Sequence, residues 1–184
     1  MLRIRLDPNG NAVGTSGADT ITGNSKTNII DGRAGNDVIR GAGGHDVIDG
    51  FSGNDTIYGD SGNDLMSGGL GRDTMTGGAG YDFFVFESKL SNSSIDTVMD
   101  FNLKYDMIML WKGIFKVSAS SNGVISSGAF WAGSKAHDRS DRILYDKSTG
   151  ALAYDPDGTG SKAAQQFAIL DKNLKMTYKD FVVF

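Results

Sequence analysis

Cysteine is absent from the 184 residues, which excludes a disulfide framework and any thiolate metal site. No run approaches the roughly 18 consecutive apolar residues of a membrane-spanning helix, and the start MLRIRLDPNGNAVG carries no apolar core of a Sec signal. Basic residues are sparse where acidic ones gather: residues 14–85 hold ten aspartates against four Lys and Arg, a net of −6 within a chain of net charge −4. Nucleic acid, which needs clustered Lys and Arg, is therefore not an expected partner. Histidine occurs only as the isolated His45 and His137. The sequence has no HExxH, no Gly-x-Ser-x-Gly elbow and no phosphate loop. The serine runs 91–94 and 118–121 have no base nearby and read as loops. Only 13 residues precede the first repeat, too few for a catalytic domain on that side. No enzyme activity is expected, and stability has to come from packing or from oxygen-ligated hard cations.

What the chain has is glycine. Eighteen of its 26 glycines lie between Gly14 and Gly80, and a period of nine fits them without a gap: GTSGADTIT, GNSKTNIID, GRAGNDVIR, GAGGHDVID, GFSGNDTIY, GDSGNDLMS, GGLGRDTMT and GGAGYDFFV. Glycine opens all eight units; at a background near 7%, chance odds are on the order of 10⁻⁹. Position four is glycine in all units but the second, which has Lys26, and position six is aspartate in all but the second, which has Asn28.

Position eight is always large and apolar: Ile21, Ile30, Ile39, Ile48, Ile57, Met66, Met75 and Phe84. Between mixed neighbours, that is the alternation of a short strand with one buried face, preceded by a glycine-rich turn. A strand this short cannot bury its side chain alone, so the units must stack. Two units per coil give an 18-residue rung and two parallel sheets facing across a thin core. The expected fold is all-β: a parallel β-roll over 14–85, after a lead-in at 1–13, followed by a β-sandwich-like cap over 86–184.

Units then alternate between two edges. Asp19, Asp37, Asp55 and Asp73 stack on one, and Asn28, Asp46, Asp64 and Asp82 on the other. Rungs about 4.8 Å apart place ionised carboxylates where they repel by about 3 kcal/mol at an effective dielectric near 20. Ca²⁺, with six to eight oxygen ligands at about 2.3–2.6 Å, complements such a ladder; Mg²⁺ demands a tighter octahedron, and zinc would want His or Cys. Isolated Asx turns would explain one aspartate but not seven at constant phase.

The pattern in GGLGRDTMT and GGAGYDFFV resembles the RTX calcium-binding nonapeptide of type I-secreted bacterial proteins. YDFFVFESKL with IDTVMDFNLKYDMIML is similar to the segment after the roll in serralysin-type proteases and alginate-epimerase R modules, and RILYDKSTGALAYDPDGTG also resembles RTX proteins. The resemblance implies side-chain ligands at Asp19, Asp37, Asp46, Asp55, Asp64, Asp73 and Asp82. It implies carbonyl ligands from turn residues, including Gly35, Gly44, Gly53, Gly62, Gly71 and Gly80. Lys26 and Asn28 depart from the pattern and put the site between the Asn28 and Asp46 loops in question. Four loops per edge leave three gaps, hence at most about six ions, with about five expected.

Asp96 and Asp100 match positions that close the last calcium site in that family; the alternative is polar residues flanking a strand. DPDGTG begins like an EF-hand, but Gly158 falls at loop position four instead of six, so a turn after the hairpin ILYD-KSTG-ALAY is expected. The C-terminal KDFVVF resembles the signal read by type I ABC exporters, placed at 180–184; a final core strand would look the same. The implied protein is secreted and extracellular, a calcium-dependent folding and secretion module. Two alternatives stand beside it: an adhesion or extracellular polysaccharide-binding protein using Phe51, Tyr58, Trp111 and Trp131, and the non-catalytic tail of a protease, epimerase or lipase. For both tryptophans core packing is the expected role.

Overall fold

The computed structural model describes residues 1–184. Ten strands form through the lead-in and the repeats: β1 (Leu2–Ile4), β2 (Ala12–Val13), β3 (Asp19–Asn24), β4 (Ile29–Asp31), β5 (Val38–Ala42), β6 (Val47–Asp49), β7 (Thr56–Ser61), β8 (Leu65–Ser67), β9 (Thr74–Ala79) and β10 (Phe83–Phe86). Seven follow: β11 (Asp96–Val98), β12 (Met107–Leu110), β13 (Phe130–Trp131), β14 (Ile143–Asp146), β15 (Ala151–Tyr154), β16 (Gln165–Ile169) and β17 (Phe181–Val183). They make two sheets, ordered β1-β3-β5-β7-β9-β11-β16-β15-β14-β13 and β17-β12-β10-β8-β6-β4-β2. Successive units thus fall on opposite sheets, as an 18-residue coil requires.

Register follows the position-eight column. Ile21, Ile39, Ile57 and Met75 align in one sheet, while Ile30, Ile48, Met66 and Phe84 align in the other. All eight are buried and belong to one core cluster that continues into Val98, Ile108, Phe167 and Phe181. Burying such a side chain contributes about 1.5–3 kcal/mol, so the column supplies cohesion that no single unit could.

The all-β parallel roll is as expected, and its ends show how it is closed. The lead-in supplies β1 and β2, which pair in parallel with β3 and β4 as a first rung. The cap is built on the same two sheets: β11 and β16 extend one, and β12 and β17 extend the other, all in parallel pairing. Between strands, antiparallel pairing enters at the β14–β15 hairpin, where the sequence expected it, and between β15 and β16; two isolated antiparallel bridges, Ala119–Ile125 and Val124–Val182, join the cap's loops to the sheet.

Turn geometry divides the loops into two kinds. In units three to eight, position two has a left-handed backbone, at Arg33, Ala42, Phe51, Asp60, Gly69 and Gly78, and so does position four. At Gly53, with φ of 138°, a Cβ would also collide with the Gly35 carbonyl oxygen of the rung before. Units one and two adopt neither conformation. Lys26 is tolerated for that reason: the turn there does not demand a residue without a Cβ.

Candidate calcium-binding ladders

The position-six side chains point into the loops and form two buried columns. On one edge the backbone N–H of Asp19, Asp37, Asp55 and Asp73 donates to Oδ1 of Asp37, Asp55, Asp73 and Asp96, at 2.7–3.0 Å. On the other, the N–H of Asn28, Asp46, Asp64 and Asp82 donates to Oδ1 of Asp46, Asp64, Asp82 and Asp106, at 2.7–3.1 Å. One oxygen of each aspartate after Asp19 is thereby fixed by the preceding rung, while Asp19 Oδ1 is buried without a partner.

The other oxygen is not. Oδ2 of Asp37, Asp46, Asp55, Asp64, Asp73 and Asp82 is buried without a hydrogen-bond partner. These are the aspartates of units three to eight, the loops with the left-handed turn. Each Oδ2 faces position one of its own loop. The point a Cβ would occupy on Gly50 lies 2.5 Å from Asp55 Oδ2 and 2.8 Å from the Gly68 carbonyl oxygen; on Gly32 the distances to Asp37 Oδ2 and the Gly50 carbonyl are 2.9 and 3.0 Å. Carboxylate and carbonyl oxygens therefore converge on a pocket that glycine leaves open. The position-four carbonyls of Gly35, Gly44, Gly53 and Gly62 also accept no hydrogen bond. Oxygen donors alone, buried and unpaired, suit a hard cation such as Ca²⁺.

Electrostatics points the same way. Burial pushes the Asp55 carboxyl up to about 7, with the Asp73 and Asp37 carboxylates adding to the effect and the Asp37 N–H opposing it. Burial likewise raises Asp64 and Asp82 to about 6 and Asp96 to about 8. Asp37, Asp46, Asp73 and Asp106 move up for the same reason. No Lys or Arg pairs with the columns, the one arginine ion pair being Arg40–Asp60, and His45 is the only basic side chain that opposes the rise, at Asp46 and Asp64.

The first loop on each edge is different. Thr15 donates both its N–H and its hydroxyl to Asp19 Oδ2, at 2.6 and 2.8 Å, and Asn24 N–H donates to Asn28 Oδ1 at 2.8 Å. The question raised by Asn28 thus extends to Asp19: both loops are closed on themselves. Asp96 and Asp100 do not share a site. Asp96 is the fifth member of the Asp19 edge, whereas Asp100 sits at the other edge and clamps the last loop, accepting from Gly77 N–H and Gly78 N–H at 2.8 Å each. The missed residue is Asp106. FNLKYDMIM matches the repeat at positions six and eight, with Asp106 and Ile108, but Phe101 replaces the opening glycine and the spacing from Asp82 is not 18. Its loop is self-closed too, by Asn102 N–H on Asp106 Oδ2.

Other sequence candidates fall elsewhere. His45 is a turn residue, its Nδ1 accepting from Asn63 N–H. Asp155 is buried and accepts from Asp157 and Gly158, forming the turn expected after the hairpin. Trp111 and Trp131 are not core residues, at 43% and 39% exposure: Trp111 follows the end of β12, and Trp131 lies in β13 at the sheet edge, stacked on His137. Phe51, Tyr58, Trp111 and Trp131 lie on separate elements, with Tyr58 under the Arg40 guanidinium. Within KDFVVF, Lys179 and Asp180 end a 3-10 turn and Phe181–Val183 form the edge strand β17, with Phe181 wholly buried.

The chain is a two-sheet parallel roll of nine-residue repeats with glycine turns and buried aspartate columns. The family model described as RTX calcium-binding nonapeptide repeat (4 copies) matches residues 13–48 and again 49–84. Comparison with curated proteins gives no match. Among solved structures, the AlgE6R3 subunit of the Azotobacter vinelandii mannuronan C5-epimerase is similar at 19% identity and a TM-score of 0.43, over 97% of this chain and 83% of that one. The extracellular lipase LipA of Serratia marcescens is similar at 14% identity and a TM-score of 0.33, over 95% of this chain and 40% of that one.

Proposed function

We propose that this chain is a non-catalytic calcium-binding module whose roll folds when Ca²⁺ fills the open loops, and that it works outside the cell. The observation that carries the reading is the set of six buried Oδ2 atoms without partners, three in each column. Asp37, Asp46, Asp55, Asp64, Asp73 and Asp82 would hold the ions with carbonyls of position-one and position-four glycines, and six open loops set the stoichiometry at about six. For sites near 10⁻⁴ M, extracellular calcium of about 10⁻³ M adds roughly 1.4 kcal/mol each through RT ln(1 + [L]/Kd), and cytosolic calcium of about 10⁻⁷ M adds almost nothing. Six such sites total about 8 kcal/mol, comparable to the stability of a whole domain. Circular dichroism across a calcium titration tests this: β-signal should rise with calcium and vanish in EGTA, and an unchanged spectrum in EGTA contradicts it.

Calcium-gated folding would also keep β17 exposed in the cytosol, where a type I ABC exporter could read 180–184. An unrelated passenger fused ahead of residues 86–184 should leave cells that express such an exporter; retention contradicts this step. A second reading rests on the outer face of the ten-stranded sheet. Arg3, Thr20, Val38, Thr56, Thr74 and Thr97 align there in one row, with Arg40 and Tyr58 in the next. A flat hydroxyl-rich row with arginines suits an anionic polysaccharide. A glycan panel should show acidic glycans bound and binding lost in Arg40→Ala; no bound glycan contradicts the reading.

A further inference from the structure

The two outer faces of the roll differ by a rule of sequence. Position seven points outward, and in the ten-stranded sheet it is mostly threonine. In the seven-stranded sheet it is Ile29, Val47, Leu65 and Phe83, followed in register by Met107. Ile29 and Val47 are 57% and 41% exposed. Five apolar residues in adjacent strands make a straight row about 19 Å long at 4.8 Å per rung. Beside it runs a groove of about 260 Å³ whose lining includes Val47, Leu65, Val85, Met109, Asp49 and Glu87.

Leu65, Phe83 and Met107 are half-buried, and no helix covers this row, although parallel sheets are normally covered on both faces by helices. The row is also charged along one side. Asp31 and Asp49 align in the position-nine column. Glu87 lines the same groove as Asp49, and none of Asp31, Asp49 and Glu87 is in an ion pair. We infer that the outer face of the seven-stranded sheet is a docking surface for a basic amphipathic helix of a partner protein, its apolar stripe on Ile29–Met107 and its Lys and Arg along Asp31, Asp49 and Glu87. A stripe of about 19 Å corresponds to about 13 helical residues. A second copy of this chain fits less well: stacked on itself, the face would bring no positive charge to the acidic column.

The probe is a synthetic 14-residue helix with a leucine stripe flanked by lysines, titrated into the full chain in millimolar calcium. A matched peptide with glutamates for the lysines is the charge control. Expected results are salt-sensitive binding of the lysine peptide and at least tenfold weaker binding of the glutamate peptide. At least tenfold weaker binding is also expected for Val47→Thr/Leu65→Thr/Phe83→Thr, whose threonines the sister sheet already accommodates at this position. Asp31→Asn/Asp49→Asn/Glu87→Gln, which keeps the side-chain oxygens that accept from Arg33 N–H and Phe51 N–H, should lose the salt dependence. Equal binding by the threonine variant, or none at millimolar peptide, overturns the proposal. Calcium-dependent dimerisation that the threonine variant abolishes overturns it in favour of a second copy.

Discussion

Asp55→Asn separates the two roles of the ladder because its effect should change sign with calcium. Asp55 stands between Asp37 and Asp73 on one edge, with Oδ1 held by Asp37 N–H and Oδ2 unpaired. Asparagine keeps the shape and the accepting oxygen but replaces Oδ2 with an amide that cannot ligate a cation. At pH 8 without calcium, the change removes two carboxylate repulsions, each about 3.5 kcal/mol at 4.8 Å and an effective dielectric near 20. Relaxation and screening reduce the gain, and roughly 2–4 kcal/mol of stabilisation is the expected outcome. In millimolar calcium the same change weakens the sites on either side of Asp55, costing about 3 kcal/mol if each contributes roughly 1.4. Urea unfolding followed by circular dichroism, with calcium and with EGTA, should show the variant more stable than wild type in EGTA and less stable in calcium. Destabilisation of equal size in both conditions would refute the electrostatic account and leave Asp55 as a packing residue.

Three further outcomes follow from the same geometry. The carboxyls of Asp64 and Asp82, Asp55 and Asp96 are raised to about 6, 7 and 8 in the calcium-free fold. The folded state therefore binds more protons than the unfolded chain, and its stability is greatest at low pH and is lost as pH rises through 6 to 8; dichroism in EGTA should show more β-structure at pH 5 than at pH 8, while calcium affinity measured by titration calorimetry should rise over the same range. Gly53→Ala, with φ of 138° and the Gly35 carbonyl in the way of a Cβ, should cost about 3 kcal/mol or more in calcium, whereas Lys26→Gly, in a turn without that strain, should stay within about 1 kcal/mol by the same denaturant assay. Asp106→Asn, which sets an amide donor against Asn102 N–H in a self-closed loop, should lower stability by about 1–2 kcal/mol in urea unfolding while leaving the number of calcium sites in a calorimetric titration unchanged.

The repeat made the roll legible because its period, its turns and its single apolar position agree with one another. Ile21 to Phe84 name the core, and Asp37 to Asp82 name the ladders, before any coordinates. The ends were not legible for the same reason: they break the period. Asp106 lacks an opening glycine and follows an insertion, and Asp96 and Asp100 lie four residues apart yet serve opposite edges, because the chain crosses the roll between them. Whether a loop is open or self-closed was also hidden. Thr15 and Asp19, or Asn24 and Asn28, are separated by the same four residues as their open counterparts Arg33 and Asp37. The difference lies in whether position two turns left-handed, which the side chains at that position do not announce. The exposure of Trp111 and Trp131 depended on where the cap's strands ended. The alternation between threonine and larger apolar residues at position seven was visible in the sequence but had meaning only once odd and even units were assigned to separate sheets.

The central claim, that calcium completes the six unpaired carboxylates, is met most directly by a crystal structure of the chain grown in calcium with anomalous scattering recorded. The account predicts ion density against Oδ2 of Asp37, Asp46, Asp55, Asp64, Asp73 and Asp82 and none against Oδ2 of Asp19 or the side chain of Asn28, where Thr15 and Asn24 already occupy the oxygen. Ordered loops with those six oxygens bonded to water or protein and no ion density beside them would contradict it.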